Sequence, residues 1–235
     1  MATTGTYAFN PSAADVVLNA FGMIGLRRTQ LNTEHLTDAA FAANMLGVEF
    51  TNRNPNRWQM EEVAIPLVAD TSSYNLPPET VAISVVGLDQ TVGDNTISRV
   101  LGPLSAADYA SLPSKTQTGS PTSYFFSLLT PIPTLTLWPV PDGVIAYTMR
   151  VQTFKQQQDT SLIGGATVNT PYRFLDAFTH GLAARLAVYY PNEKRPNLDD
   201  KLNALFAQKF ALAASLDQER VPLRVRPNMS SYYRR

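Results

Sequence analysis

The sequence predicts an α+β protein: a bundle of about four helices formed by both ends of the chain, with an antiparallel β-rich domain inserted between them. Three observations lead there. Apolar residues recur at helical spacing in the first fifty residues and again from residue 170 onward. Between residues 58 and 155 they alternate instead, as in half-buried strands. The helical stretches are too short to stand alone, so they must bury their apolar stripes against one another. The boundaries read 1–57 and 170–219 for the two parts of the bundle, 58–155 for the inserted domain, 156–169 for a polar loop and 220–235 for an extended C-terminal arm.

The first helix follows Asn10-Pro11-Ser12, with Ser12 and Asp15 spaced like a capping box, Val17, Phe21 and Ile24 on its apolar face, and Gly25 as its C-terminal cap. A second should begin near Asn32 or Thr33, carry Leu36, Ala40, Ala43, Met45, Leu46 and Phe50, and fray by Asn54. From Trp58 the period changes to two: Val63, Ile65 and Leu67 alternate, then Val81, Ile83 and Val85, with a stiff Tyr74-Asn75-Leu76-Pro77-Pro78 corner between them. A turn at Asp94-Asn95, a strand over 96–101 and a short helix capped by Ser105 over 103–112 come next. Three apolar runs follow a polar loop, at 123–129, 134–139 and 144–154. Pro141-Asp142-Gly143 has turn chemistry and predicts that the last two pair as an antiparallel hairpin.

The polar loop contains Gly164-Gly165 and is long for a compact domain, which implies a functional or mobile segment. The strongest helix of the chain spans 170–190. Thr170 suits its cap, Pro171 its first position and Pro191 its end, while Phe174, Phe178, Leu182, Leu186 and Tyr189 form one stripe. Gly181, Ala183, Ala184 and Ala187 invite close approach by another backbone, so this is a central packing helix. A last helix over 197–218 has Asn197 as cap, acids in its first turn, and Leu198, Leu202, Leu205, Leu212 and Leu216 on one face.

Composition narrows the function classes. The 235 residues carry zero formal net charge, so the chain as a whole offers no general attraction to nucleic acid or membrane. Charged residues are few at 16%, and there is no cysteine, which removes disulfides, thiolate nucleophiles and cysteine-based metal sites. Neither a signal peptide nor a membrane span is expected. Of the two histidines, His35 reads as exposed or capping. His180 stands four residues after Asp176, which invites an acid–base reading. That spacing more often only stabilises a helix, and no nucleophile is placed beside the pair. Gly164-Gly165 lacks the Gly-Lys-Ser/Thr continuation of a phosphate loop. No catalytic, cofactor or metal site is therefore expected.

The arm is the candidate binding element. It is rich in arginine, has no acid after Arg220, and adds tyrosine and methionine anchors. Arg220, Leu223, Arg224, Arg226, Met229, Tyr232, Tyr233, Arg234 and Arg235 are residue types suited to docking on a partner and ordering there. Two other readings stand beside this: a nucleic-acid-binding tail, and a solvated end.

Five segments come in a recognisable order: Tyr74-Asn75-Leu76-Pro77, Asp108-Tyr109-Ala110, Gly119-Ser120-Pro121-Thr122-Ser123-Tyr124, Leu135-Thr136-Leu137-Trp138-Pro139-Val140-Pro141-Asp142 and Pro171-Tyr172-Arg173-Phe174-Leu175-Asp176-Ala177. With Gly181-Leu182-Ala183 they resemble the head-to-tail adaptors of short-tailed bacteriophages, the podoviral connector or tail tubular protein A group, over roughly residues 10–191. The resemblance implies a virion protein at the head–tail junction, assembled in the host cytoplasm as a homo-oligomeric ring, usually of twelve copies. Such a ring binds the portal protein, carries the tail nozzle and fibres, and passes genomic DNA without reading its sequence. It implies no enzyme and no cofactor, and a C-terminal segment that reaches the portal. Alternatives of other classes are a virion-associated hydrolase and a nucleic-acid-binding module.

Overall fold

Ser12 starts the first helix: its hydroxyl accepts the Asp15 amide at 3.1 Å and caps α1 (Ala13–Ile24). Gly25 ends that helix at φ 95°, a left-handed turn that a Cβ would strain. The structure is a computed structural model and describes residues 9–53, 57–93 and 95–217. Asn32 opens α2 (Thr33–Arg53) by accepting the His35 amide at 3.0 Å. Ser105 caps the short α3 (Ala106–Ser111) as expected, and Asp108 completes a capping box with it, but Gly102–Leu104 is strand rather than the start of the helix. The bundle is completed by α4 (Leu175–Tyr189) and α5 (Leu198–Asp217). Helices and largely antiparallel sheets together make the class α+β, as expected.

α4 is the central helix. Leu175, Phe178, Leu182, Ala183, Leu186 and Ala187 are buried on several sides of it, against α1, α2 and α5. At the middle of the bundle Phe50 of α2 meets Phe174, Phe178, Phe206 and Phe210, with ring centroids 6.2, 5.7, 6.0 and 5.1 Å away. Gly181 allows this closeness. A Cβ there would lie 3.0 Å from the Leu46 side chain and 3.0 Å from the Phe206 ring.

Several helix expectations need correction. Thr170 does not cap α4, because its hydroxyl accepts a hydrogen bond from Gln157 Nε2 at 2.9 Å. Pro171 is extended, with ψ 152°, and a 3-10 turn over Tyr172–Phe174 precedes the α-helix. Tyr189 is exposed and leaves the stripe. On α2 the buried set is Ala39, Ala42, Ala43, Leu46, Gly47 and Phe50, while Leu36 and Met45 are exposed. On α5 it is Leu202, Phe206, Phe210 and Ala213. Leu198 is half-buried, and Leu205, Leu212 and Leu216 face outward. The phenylalanine rings fill the space left by Gly181, which turns the leucine stripe away from the core.

The strand-rich part has its own core. One antiparallel sheet has the order β1 (Met60–Pro66), β10 (Ala146–Lys155), β3 (Thr80–Val92), β4 (Asn95–Val100). A second has the order β2 (Ser73–Asn75), β8 (Thr134–Trp138), β7 (Ser123–Ser127), β5 (Gly102–Leu104). Val86, Leu88, Leu135, Leu137, Met149 and Val151 belong to one buried cluster that draws on both sheets. Two short pairings are parallel rather than antiparallel: β5 with β7, and β6 (Thr118–Gly119) with β9 (Val140–Pro141).

The expected hairpin across Pro141-Asp142-Gly143 is absent. β8 pairs with β2 and β7, whereas β10 lies in the other sheet between β1 and β3. The turn residues do bend the chain, and Gly143 sits at φ 71°. They link two sheets rather than two neighbours, because turn chemistry sets a local angle and not a strand partner. On β3 the expected Val81–Ile83–Val85 alternation also breaks. Opposite β10 the register slips between Ile83 and Val86, so Val86 and Leu88 face inward and Val85 is exposed.

The long polar loop is fastened. The Gln157 amide donates to Thr51 Oγ1 at 3.3 Å and the Thr160 amide to Asn44 Oδ1 at 2.6 Å, both on α2. Further on, the Ala13 amide donates to the Ala166 carbonyl at 2.7 Å, and Val168 is buried in the bundle core. These backbone hydrogen bonds to α1 and α2 make it a strap across two helices.

Candidate functional site

The nine arm residues singled out in the sequence, Arg220, Leu223, Arg224, Arg226, Met229, Tyr232, Tyr233, Arg234 and Arg235, lie outside the described residues. What the structure offers is the chemistry of the bundle and its surfaces.

Asp176 and His180 do meet, with His180 Nδ1 3.1 Å from Asp176 Oδ1. The same nitrogen is 2.8 Å from the Asp176 carbonyl oxygen, and the other carboxylate oxygen takes Lys209 Nζ of α5 at 2.7 Å. The neighbouring hydroxyl, on Thr179, donates to the Leu175 carbonyl at 2.8 Å. The Asp176 carboxylate, His180 Nδ1 and the Thr179 hydroxyl are thus occupied in holding α4 to itself or to α5. The arrangement fastens helices; it has no activated nucleophile. Among the described residues, no group of three or more His, Asp or Glu side chains could hold a metal ion. No helix among them is long and apolar enough to cross a membrane.

An open cleft of about 1340 Å³ runs between α1 and the start of α4. Asp15, Arg27, Arg28, Arg173, Asp176 and Arg195 give it mixed charge, and Phe9 and Tyr172 stack edge-on, ring centroids 6.3 Å apart, at its rim. Two of its ionic groups are already paired, Asp176 with Lys209 and Arg173 with Asp217.

The helix ends are joined by another polar contact. Tyr190 donates from its phenol to Asp38 Oδ2 of α2 at 2.5 Å, and His35 stacks on its ring at 4.6 Å. The hydrogen bond to Asp38, then burial, then the negative charges of Asp38 and Glu34 push the phenol up to about 12. Because the folded value exceeds the ordinary one, this contact's contribution to stability is whole below about pH 10 and is lost as pH rises through about 12. Burial also raises the phenols of Tyr74 and Tyr124, so spectrophotometric titration should show several late-ionising tyrosines, and Tyr190→Phe should remove one of them. Asp38→Asn should bring the Tyr190 ionisation down toward that of an ordinary phenol. An unchanged titration in both variants would contradict the pairing.

Glu49 binds Arg185 of α4 at 2.5 Å and Arg53 of its own helix at 2.5 Å. Partial burial raises its carboxyl, but the two guanidinium groups outweigh that and hold it below the usual range. In the sandwich Arg150 spans three strands, reaching Asp89 at 2.5 Å and Glu62 at 2.6 Å. Ser98 and then Arg150 hold the Asp89 carboxyl low. Many charges are in this way spent on internal links.

The exposed apolar groups are more distinctive. Phe41, Met45 and Val48 on α2 are 61%, 45% and 41% exposed, and their spacing puts them on one outer face. Leu205, Leu212 and Leu216 on α5 are 40%, 62% and 57% exposed and also share a face. Large apolar side chains grouped this way mark interaction surfaces rather than scattered exposure. Sequence reasoning placed Met45 and the three leucines in the core. The charge pattern could have warned otherwise, since residues 33–52 contain no Lys or Arg and residues 201–216 no Asp or Glu.

The family model described as SU10 adaptor protein matches residues 19–226, which covers both the bundle and the sandwich. No curated protein matches the chain.

Proposed function

Because this chain belongs to the SU10 adaptor protein family, we propose that it is a bacteriophage head-to-tail adaptor whose copies form a ring between portal and tail. The observation that carries this reading is the family match over residues 19–226, in agreement with the resemblance seen in the sequence. In the proposed ring, of twelve copies by that resemblance, the portal sits above, the tail nozzle and fibres attach below, and the genome passes through. Zero net charge suits a conduit, since a strongly basic lining would bind each phosphate it met and slow the duplex. The protein acts by fit, not by turnover; the Asp176–His180 pair is committed to helix packing.

Electron micrographs of the purified protein, with and without its portal, test the proposal. A ring, alone or stacked on the portal, is the expected result. Single particles that form no ring in either mixture would overturn it.

The arm is assigned to the portal. Removing residues 220–235 is expected to weaken portal binding at least about tenfold, the effect of losing a single modest hot spot. The thermal melt should stay within about 2 °C, since the change removes none of the core residues among those described. Full affinity in the truncated protein would reassign the contact to the folded body.

A further inference from the structure

The outer faces of α2 and α5 differ in charge as sharply as they agree in being apolar. Beside the exposed apolar groups α2 carries Glu34 and Asp38 and α5 carries Lys201 and Lys209, while Arg53 of α2 and Asp199, Asp200 and Asp217 of α5 lie on other sides of their helices. Around the exposed leucines, α5 presents Ala204, Ala207 and Ala211, which are also exposed and allow a helix to approach closely.

The two helices are parallel and at one height. Asp38 meets Tyr190, Leu46 lies against Gly181 and Phe50 packs on Phe174, so α2 runs antiparallel to α4. Phe206 lies against Gly181, Lys209 meets Asp176 and Asp217 meets Arg173, so α5 does the same. Leu46 and Phe206 thus mark one level. The two apolar faces also point to different sides. Arg53 of α2 covers Phe206 and Phe210 on one flank of α5, whereas Leu205, Leu212 and Leu216 share the flank of Lys209.

We propose that these faces bind each other between copies, with α2 of one subunit lying on α5 of the next. The inference rests on the ring reading above and names its interface. A rotation about an axis along the helices keeps their direction and height. It would set a neighbour's Leu205 beside Phe41, Met45 and Val48, and its Lys201 within about one helical turn of Asp38. The contact uses two different patches, so it is heterologous and repeats around a closed ring. A twofold pairing of like faces would place acid against acid on α2 and lysine against lysine on α5, which disfavours it.

Charge reversal in the full chain tests this. Met45→Lys places a cation opposite the lysines of α5, and Leu205→Glu places an acid opposite those of α2. Both positions are exposed, so the thermal melt and circular dichroism should match the wild type. Each single variant is expected to lower ring assembly, read by sedimentation and by micrographs with portal, at least about tenfold. The double variant, which restores opposite charges, should recover most of it. Rings that form normally in both single variants, or a double variant no better than either, would overturn the interface and leave the adaptor reading standing. A wild-type chain that forms no ring would overturn both.

Discussion

Replacing Phe50 by alanine is expected to destabilise the bundle by about 3–5 kcal/mol, the cost of emptying a fully buried aromatic site. Phe50 is 0% exposed and touches the rings of Phe174 in the turn before α4, Phe178 on α4, and Phe206 and Phe210 on α5. Three helices therefore lose contacts at once, and none can collapse into the gap without pulling away from the other two. The same change at Phe41, on the outside of the same helix, should cost no more than about 0.5 kcal/mol. Urea denaturation followed by helical circular dichroism separates the two. Equal midpoints for Phe50→Ala and Phe41→Ala would contradict the packing described here. The loss should fall on the bundle transition, because the sandwich buries a separate cluster.

Local chemistry was the most legible part of the fold. Ser12 with Asp15, Gly25, and Ser105 each cap the helix they were expected to cap, because a cap needs only residues within one turn. Alternation of Tyr147, Met149 and Val151 was equally readable, since a strand's inner face is a local period. What failed were choices among distant partners. Pro141-Asp142-Gly143 bends the chain, but whether β8 then meets β10 depends on strands more than fifty residues earlier. Thr170 had a capping side chain and lost it to Gln157.

α5 shows the same limit more instructively. It has two apolar stripes, one with Leu202, Phe206 and Phe210 and one with Leu205, Leu212 and Leu216. Periodicity cannot rank them when a helix is apolar on adjacent sides, because either could face the core. Gly181 decides it, by leaving room for a ring rather than a leucine. The residue that settles the packing lies in another helix. For the candidate site, the arm was legible only as composition, and its residues lie outside those the structure describes.

Gly181→Leu tests that decision and carries the second large effect. Even an alanine Cβ at this position would stand 3.0 Å from Leu46 Cδ1 and 3.0 Å from the Phe206 ring. Leu46 is 0% exposed and Phe206 is backed by Phe50, so neither can step aside freely. Alanine gains about 0.5–1 kcal/mol of helix preference over glycine, but the clash should exceed it and leave a net loss of about 1 kcal/mol. Leucine adds bulk that the site cannot hold and should cost about 3 kcal/mol, the upper end of overpacking penalties. Shrinking the opposing ring with Phe206→Leu should then restore part of the stability, with a coupling of at least about 1 kcal/mol. Additive effects in that double variant would mean that Gly181 and Phe206 do not share space. Ring assembly gives a second reading of the same strain. Pushing α5 outward at Phe206 moves Leu205 and Leu212 relative to α2, which is held by Glu49 on Arg185 of α4 and by Asp38 on Tyr190 just after α4. If those faces meet between subunits, Gly181→Leu should impair the ring even at temperatures where the helices remain folded, and Phe206→Leu should repair it.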